Sequence, residues 1–70
     1  MALAREGDRI RLVRMGDDPD PIPSGSEGTV TMVNESRYFD TQIAVAWDSG
    51  RSLMLIEGTD VYTVIGRAEA

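Results

Sequence analysis

Several residue types that often carry chemistry are absent from this chain. It contains no Cys, no His and no Lys, and its seven basic residues are all Arg. Without Cys and His there is neither a disulfide framework nor a common zinc ligand set. Because the usual general base near neutral pH and the usual covalent nucleophiles are also missing, we expect a protein that is not an enzyme and that uses no cofactor or metal.

The chain also lacks a long hydrophobic run. No segment approaches the ~20 apolar residues of a membrane span, and the first residues do not show a basic region followed by an apolar stretch. We therefore expect a cytoplasmic protein without membrane contact. Twelve Asp and Glu oppose the seven Arg, and the net charge of −5 disfavours non-specific attraction to nucleic acid.

What the chain does contain is a series of short alternating runs separated by Gly-bearing turns. This pattern indicates an all-β domain, and 70 residues suffice for one such domain. Apolar residues at alternate positions predict five strands, over residues 8–15, 27–34, 42–47, 51–55 and 61–65.

Two strands depart from strict alternation. Val13 interrupts the first strand, which predicts a bend or bulge over residues 13–15. In the second strand we expect Val30 and Met32 to face the core, with Val33 also turned inward if that strand contains a bulge.

Bulky apolar residues at the alternating positions are expected to form a single core that fills a small barrel. The only tryptophan lies on the strand with the clearest alternation and is expected to be buried. The predicted core consists of Ile10, Leu12, Val30, Ile43, Val45, Trp47, Leu53, Leu55 and Val64.

The connections differ in character. Residues 16–25 carry Pro at every second position from 19 to 23, which predicts a stiff loop and excludes a central strand. Residues 48–50 predict a tight turn in which Gly50 has positive φ, and residues 56–60 suit a single 3₁₀ turn. Residues 34–41 fit either a broad hairpin loop or an extension of both neighbouring strands.

This order of strands and connections matches an SH3-like barrel with a long Pro-rich first loop. The segments Gly7-Asp8-Arg9-Ile10-Arg11-Leu12, Pro23-Ser24-Gly25-Ser26-Glu27-Gly28-Thr29-Val30 and Val45-Ala46-Trp47-Asp48-Ser49-Gly50-Arg51-Ser52-Leu53 resemble an uncharacterised family of small domains from bacteria, bacteriophages and conjugative elements. The resemblance implies an SH3-like fold and no activity. Residues 34–41 are longer than the usual second turn of that family.

The domain organisation predicted from these patterns has three parts. Residues 1–6 are a flexible lead-in, residues 7–65 form the SH3-like barrel, and residues 66–70 are a tail.

The leading functional hypothesis is a non-catalytic module that binds a protein partner or itself. Tyr38 and Phe39 are adjacent in a polar connection, so both cannot point inward if the segment is extended, and exposed aromatics are enriched at binding surfaces. A loop that folds over the core to cap it is the competing interpretation. Asp17, Asp18 and Asp20 in the Pro-rich loop would help to orient the partner. The family resemblance adds an accessory role in a phage or mobile element.

The alternative function is a nucleic-acid-binding SH3-like module. It requires Arg9, Arg11, Arg37 and Arg51 to form one continuous basic patch. In an acidic chain, arginines on strands more often pair with Asp or Glu across the sheet.

Overall fold

Five antiparallel strands form one sheet in the computed structural model, which describes residues 4–16 and 18–67. The order across the sheet is β4-β3-β2-β1-β5, so the last strand pairs with the first. The described residues form no helix, and the sheet does not close, because β4 and β5 remain its two edges. The strands are β1 Arg9–Arg14, β2 Glu27–Asn34, β3 Gln42–Trp47, β4 Leu55–Ile56 and β5 Val61–Gly66.

The all-β prediction is therefore confirmed, and β2 and β3 have the predicted bounds. The prediction for the fourth strand is wrong, since β4 begins where that strand was expected to end. Before β4, only an isolated bridge joins Ser52 to Ala46. In this segment the Trp47 indole N–H donates to the Leu53 carbonyl at 3.0 Å, which gives this carbonyl a partner outside the sheet ladder.

The bulge expected in β1 is present, and so is the one considered for β2. The β1–β5 register shifts between Leu12 and Arg14, and the β2–β3 register shifts between Val30 and Met32. The second shift turns Val33 toward the core and leaves Met32 51% exposed. The expectation that Met32 faces inward is therefore wrong, because one extra residue in a strand reverses the sides of all that follow.

The core lies on one side of this sheet. All nine predicted core residues contribute to it, with Leu53 and Val64 at its half-buried margin. Two contributors were not predicted: Ala4 from the expected lead-in, and Ile22 from the Pro-rich loop. The buried apolar residues are Ala4, Ile10, Leu12, Ile22, Val30, Ile43, Val45, Trp47 and Leu55.

The connection between β4 and β5 is a single hydrogen-bonded turn that does not continue into a 3₁₀ helix. The Ile56 carbonyl accepts from the Thr59 N–H at 3.1 Å and from the Asp60 N–H at 2.9 Å. Gly58 has a φ of 90°. A 3₁₀ helix needs a φ of about −50 to −70°, so this glycine ends any helical continuation.

Two other glycines meet geometric demands at β3, one in the turn that follows it and one on the neighbouring β2. Gly50 closes the tight turn by donating to the Trp47 carbonyl at 2.8 Å with a φ of 92°, as predicted. Gly28 lies against β3 so closely that a Cβ atom there would stand 2.6 Å from Val45 Cγ1. Any larger residue at position 28 would therefore push β2 and β3 apart.

Candidate partner-binding loops

The loop between β2 and β3, residues 35–41, presents the two adjacent aromatics to solvent. Tyr38 is 84% exposed and Phe39 is 76% exposed. Neither side chain caps the core, so the capping interpretation is wrong, and both aromatics are exposed. The Tyr38 N–H donates to the Ser36 hydroxyl at 3.2 Å, which folds the loop on itself.

The end of this loop is fastened to the turn that follows β4. The Glu57 N–H donates to the Thr41 carbonyl at 2.9 Å. Within the same turn, Asp60 accepts from the Ile56 N–H at 2.8 Å through Oδ2 and from the Gly16 N–H at 2.6 Å through Oδ1. One turn thus joins the end of the aromatic loop to the beginning of the Pro-rich loop.

The Pro-rich loop is held against the sheet at several of its described residues. Ile22 is buried in the core, and its N–H lies 3.5 Å from the Met15 sulfur. Leu12 extends its strand pairing into the loop, because its N–H donates to Ser26 at 2.8 Å and its carbonyl accepts from Gly25 at 2.7 Å. The predicted stiffness therefore has a tertiary contribution in addition to the prolines.

The acidic residues of this loop have structural partners. The Asp18 carboxylate accepts from the Asp20 N–H at 2.9 Å. The Arg51 guanidinium lies 3.3 Å from the Asp20 carboxylate and donates to the carbonyls of Asp20 at 2.7 Å and Pro21 at 3.3 Å. Asp17, which was predicted with them, lies outside the described residues.

The predicted binding residues do not all meet. Arg51 fixes Asp20 beyond the Trp47 end of β3, whereas the aromatic loop precedes Gln42 at the other end. Six residues of strand separate these ends, roughly 17 Å. A partner that touches both Phe39 and Asp20 must span about that distance along the strand.

The arginines of β1 face carboxylates. Arg9 makes a two-pronged pair with Asp48, with N–O distances of 2.7 and 2.6 Å, and it also donates to the Thr29 hydroxyl at 3.1 Å. Glu27 accepts from Arg11 at 3.1 Å and lies 3.5 Å from Arg9. The hydrogen bond between Arg9 and Asp48 lowers the pKa of the Asp48 carboxyl and raises the pKa of the Arg9 guanidinium.

The four arginines of the nucleic-acid hypothesis occupy different parts of the molecule. Arg9 and Arg11 are neighbours that share Glu27, and Arg51 is engaged with the Pro-rich loop. Arg37 is exposed in the aromatic loop, which follows the far end of β2. Three of the four therefore already neutralise carboxylates.

A buried carboxylate near the beginning of the described chain was not predicted. Asp8 is fully buried, and its Oδ2 atom accepts from the Arg67 guanidinium at 3.0 Å and from the Arg5 N–H at 2.8 Å. The local signal is an Asp in a Gly-bearing turn, a position where its carboxylate commonly accepts from nearby backbone. The pairing with Arg67, 59 residues later, has no local signal.

A second group of polar contacts lies nearby. The Tyr62 hydroxyl donates to the Glu57 carboxylate at 3.0 Å and accepts from the Ala4 N–H at 3.4 Å. Burial raises the pKa of the Tyr62 hydroxyl. These contacts hold residue 4 against β5, which explains why a position in the expected lead-in is buried.

The described residues contain neither a metal-binding cluster nor a membrane-spanning helix. Among residues 4–16 and 18–67, no group of three or more acidic side chains converges in a way that would hold a metal ion. Within the same ranges no helix is long and apolar enough to cross a bilayer.

Comparison with known proteins assigns a family but no activity. No curated protein and no solved structure matches the chain. One family does match, over residues 4–65, which include every strand except the last residue of β5. The chain therefore belongs to the family described as Domain of unknown function (DUF4314).

Proposed function

We propose that this protein is a non-catalytic protein-interaction or assembly module of the cytoplasm, built as an SH3-like barrel. The observation that carries the proposal is the aromatic loop. Tyr38 and Phe39 are both exposed, yet their loop is fastened by the contact between Thr41 and Glu57. An exposed aromatic pair on an anchored loop can bind a partner without a large ordering cost.

The SH3-like part of the proposal rests on strand order. The first four strands follow one another across the sheet, and β5 returns to pair with β1. The long first connection lies between β1 and β2, and a short turn precedes β5. These features support the proposal of an SH3-like strand order.

In the proposed complex, Tyr38 and Phe39 anchor the partner. Aromatic side chains dominate binding energy at many interfaces because they bury a large area and lose little conformational entropy. Glu35 and Asp40 flank the pair in the same loop, and both are exposed. A partner segment with an apolar residue beside Lys or Arg would fit this combination.

The acidic residues of the Pro-rich loop have a secondary role in this proposal. Asp17, Asp18 and Asp20 would orient a basic partner that extends from the aromatic loop toward Arg51. Because the Arg51 pair already screens Asp20, we expect Asp20 to contribute less than the aromatics. The resemblance to domains of bacteria, bacteriophages and conjugative elements supports an accessory role in such an element.

The test is affinity capture from the native host, followed by mass spectrometry. The parent protein is compared with the double variant Tyr38→Ala, Phe39→Ala and with the control Val13→Ala. Val13 is an exposed apolar residue on β1, 49% accessible, and lies outside both loops. A partner that is retained by the parent and the control but lost by the double variant supports the proposal. Equal recovery by all three contradicts it.

The nucleic-acid alternative is less favoured, because Arg9, Arg11 and Arg51 are occupied by carboxylates. It has its own test. Gel-shift binding to mixed DNA or RNA at low salt that weakens steeply as salt is added would revive it.

A further inference from the structure

The Pro-rich loop contains two Asp–Pro peptide bonds, Asp18–Pro19 and Asp20–Pro21. In such a bond the side-chain carboxylate can close a five-membered ring on its own main-chain carbonyl carbon, and the leaving nitrogen is more basic than that of an ordinary peptide. Proline also has no N–H. Because its nitrogen cannot attack the Asp side chain, the intramolecular reaction left to these residues is attack of the carboxylate on the main chain.

The two bonds have different surroundings, because a guanidinium contacts the carbonyl of only one of them. The Arg51 Nη2 atom donates to the Asp20 carbonyl oxygen at 2.7 Å and lies 3.3 Å from the Asp20 carboxylate. The Arg51 Nη1 atom donates to the Pro21 carbonyl at 3.3 Å. Within residues 4–16 and 18–67, no donor contacts the Asp18 carbonyl. Arg51 thus lies beside both the electrophile and the nucleophile of the Asp20–Pro21 bond.

We propose that Asp20–Pro21 is a self-cleavage site, at which Arg51 activates the carbonyl of Asp20. A carboxylate oxygen of Asp20 attacks this carbonyl carbon, and the C=O electron pair moves to the oxygen that Arg51 contacts. The C–N bond then breaks, the Pro21 nitrogen leaves with its electron pair and a proton, and residue 20 becomes a cyclic anhydride. Water opens the anhydride to two carboxylates, and in balance its two protons end on the new ammonium of Pro21. Each molecule reacts once, so the chain is a substrate and not an enzyme.

The surroundings of Asp20 supply what each step needs. An Arg51 donor at 2.7 Å lies at the distance at which hydrogen-bond donors stabilise a developing oxyanion. The Asp20 side chain is 86% exposed, so water reaches the anhydride. Arg51 and Asp18 are the charged residues that contact Asp20 within the described chain, and the Asp18 carboxylate accepts from the Asp20 N–H, away from the scissile bond. Because the leaving nitrogen needs a proton, we expect cleavage to accelerate in acid.

The fold should retain both fragments after cleavage. The N-terminal fragment carries β1, which pairs with β2 on one side and with β5 on the other. Ile10 and Leu12 of this strand are buried in the core. The cut therefore opens the Pro-rich loop without removing a strand, and the new α-carboxylate of Asp20 forms beside Arg51. The product is a nicked domain whose two fragments separate only under denaturing conditions.

Denaturing mass spectrometry after incubation in acid tests this inference. The protein is held at a series of pH values, from neutral down to the lowest at which circular dichroism still shows the folded domain. The rate at each Asp–Pro bond is divided by its rate in guanidinium chloride at the same pH, which removes the intrinsic effect of the local sequence. We expect this ratio to be about tenfold higher after Asp20 than after Asp18, because solvent exposure weakens the ~10²–10³-fold effect of a buried oxyanion donor. The rate should not depend on protein concentration.

Three variants separate the contributions, and circular dichroism establishes that each is folded. Arg51→Gln should abolish the preference for the bond after Asp20, whereas the control Arg37→Gln removes the same charge from an exposed loop position and should cleave like the parent. Asp20→Glu keeps a carboxylate near Arg51 but requires a six-membered ring, so cleavage after residue 20 should be lost and cleavage after Asp18 retained.

Four results would overturn the inference. They are no cleavage after Asp20, equal ratios at the two Asp–Pro bonds, an unchanged preference in Arg51→Gln, and a rate that rises with protein concentration, as a co-purified protease would give. The inference goes beyond the proposed function and is independent of it, because partner capture varies only the aromatic loop.

Discussion

Replacing the buried tryptophan should bring the domain close to its unfolding midpoint. Trp47 is 3% exposed and packs in the core, and its indole N–H donates to the Leu53 carbonyl at 3.0 Å. Trp47→Ala removes most of the side-chain volume and leaves that carbonyl to find another donor. The loss of side-chain packing and the loss of this hydrogen bond both destabilise the folded state.

The magnitude follows from the two losses. Large-to-Ala changes of buried aromatics cost about 3–5 kcal/mol, because transfer free energy is lost and a cavity remains. The lost hydrogen bond is worth about 1 kcal/mol more. A domain of this length has a net stability of roughly 4–10 kcal/mol. Trp47→Ala should therefore leave a large unfolded fraction at 25 °C. Trp47→Phe, which keeps most of the volume, should cost considerably less.

Urea unfolding followed by circular dichroism measures both variants, since Trp47→Ala removes the only tryptophan and with it the fluorescence signal. In the parent, tryptophan emission should be that of a buried indole and should shift to longer wavelength on unfolding. An unfolding midpoint for Trp47→Ala equal to that of the parent would refute the reasoning. It would mean that position 47 does not support the core.

Three further changes have defined outcomes. Asp60→Ala removes two hydrogen bonds from backbone N–H groups and should lower the free energy of unfolding, measured by urea titration, by about 2–3 kcal/mol. The control Asp40→Ala changes an exposed residue and should stay within about 0.5 kcal/mol of the parent in the same titration. The folded-state pKa of Asp48 is lowered, mainly by the hydrogen bond from Arg9, so its stabilising contribution is complete above the ordinary value of 3.8 and is lost as pH falls below it. Urea midpoints of Asp48→Asn should accordingly fall less on acidification than those of the parent, and equal slopes would contradict this. The pKa of Tyr62 is raised by burial, so above pH 10 the unfolded chain ionises first and stability declines. Tyr62→Phe should show a smaller alkaline loss, which thermal melts on both sides of pH 10 would detect.

The sequence was sufficient to predict those parts of the fold that depend on a local pattern. Alternating apolar residues predicted the bounds of β3, and those of β2 despite its departure from strict alternation. Val13 marked the β1 bulge because it breaks the alternation. A bulge in β2 was considered only as a way to turn Val33 inward, so Met32 was predicted to lie on the wrong side of the strand. Sequence alone does not say which of two adjacent apolar residues turns inward, because both choices bury a similar side chain.

The parts that could not be predicted depend on contacts between distant residues. Ile22 is buried because the Pro-rich loop folds back over the core, and no period marks it as a core position. The candidate site shows the same limit. Adjacency of Tyr38 and Phe39 predicted that one aromatic would be exposed, and both are. No sequence pattern predicted that the Asp60 carboxylate accepts hydrogen bonds from the N–H groups of both Gly16 and Ile56.

The aromatic loop has a practical consequence for protein engineering. Residues 34–40 are all exposed, and the loop begins and ends at the paired strand residues Asn34 and Gln42. Sequence inserted between those anchor points would lengthen a surface connection without displacing a core side chain, and long surface insertions cost little loop-closure entropy. The domain thus offers a cysteine-free scaffold of 70 residues in which a foreign peptide, or a randomised library, can be displayed between two paired strands.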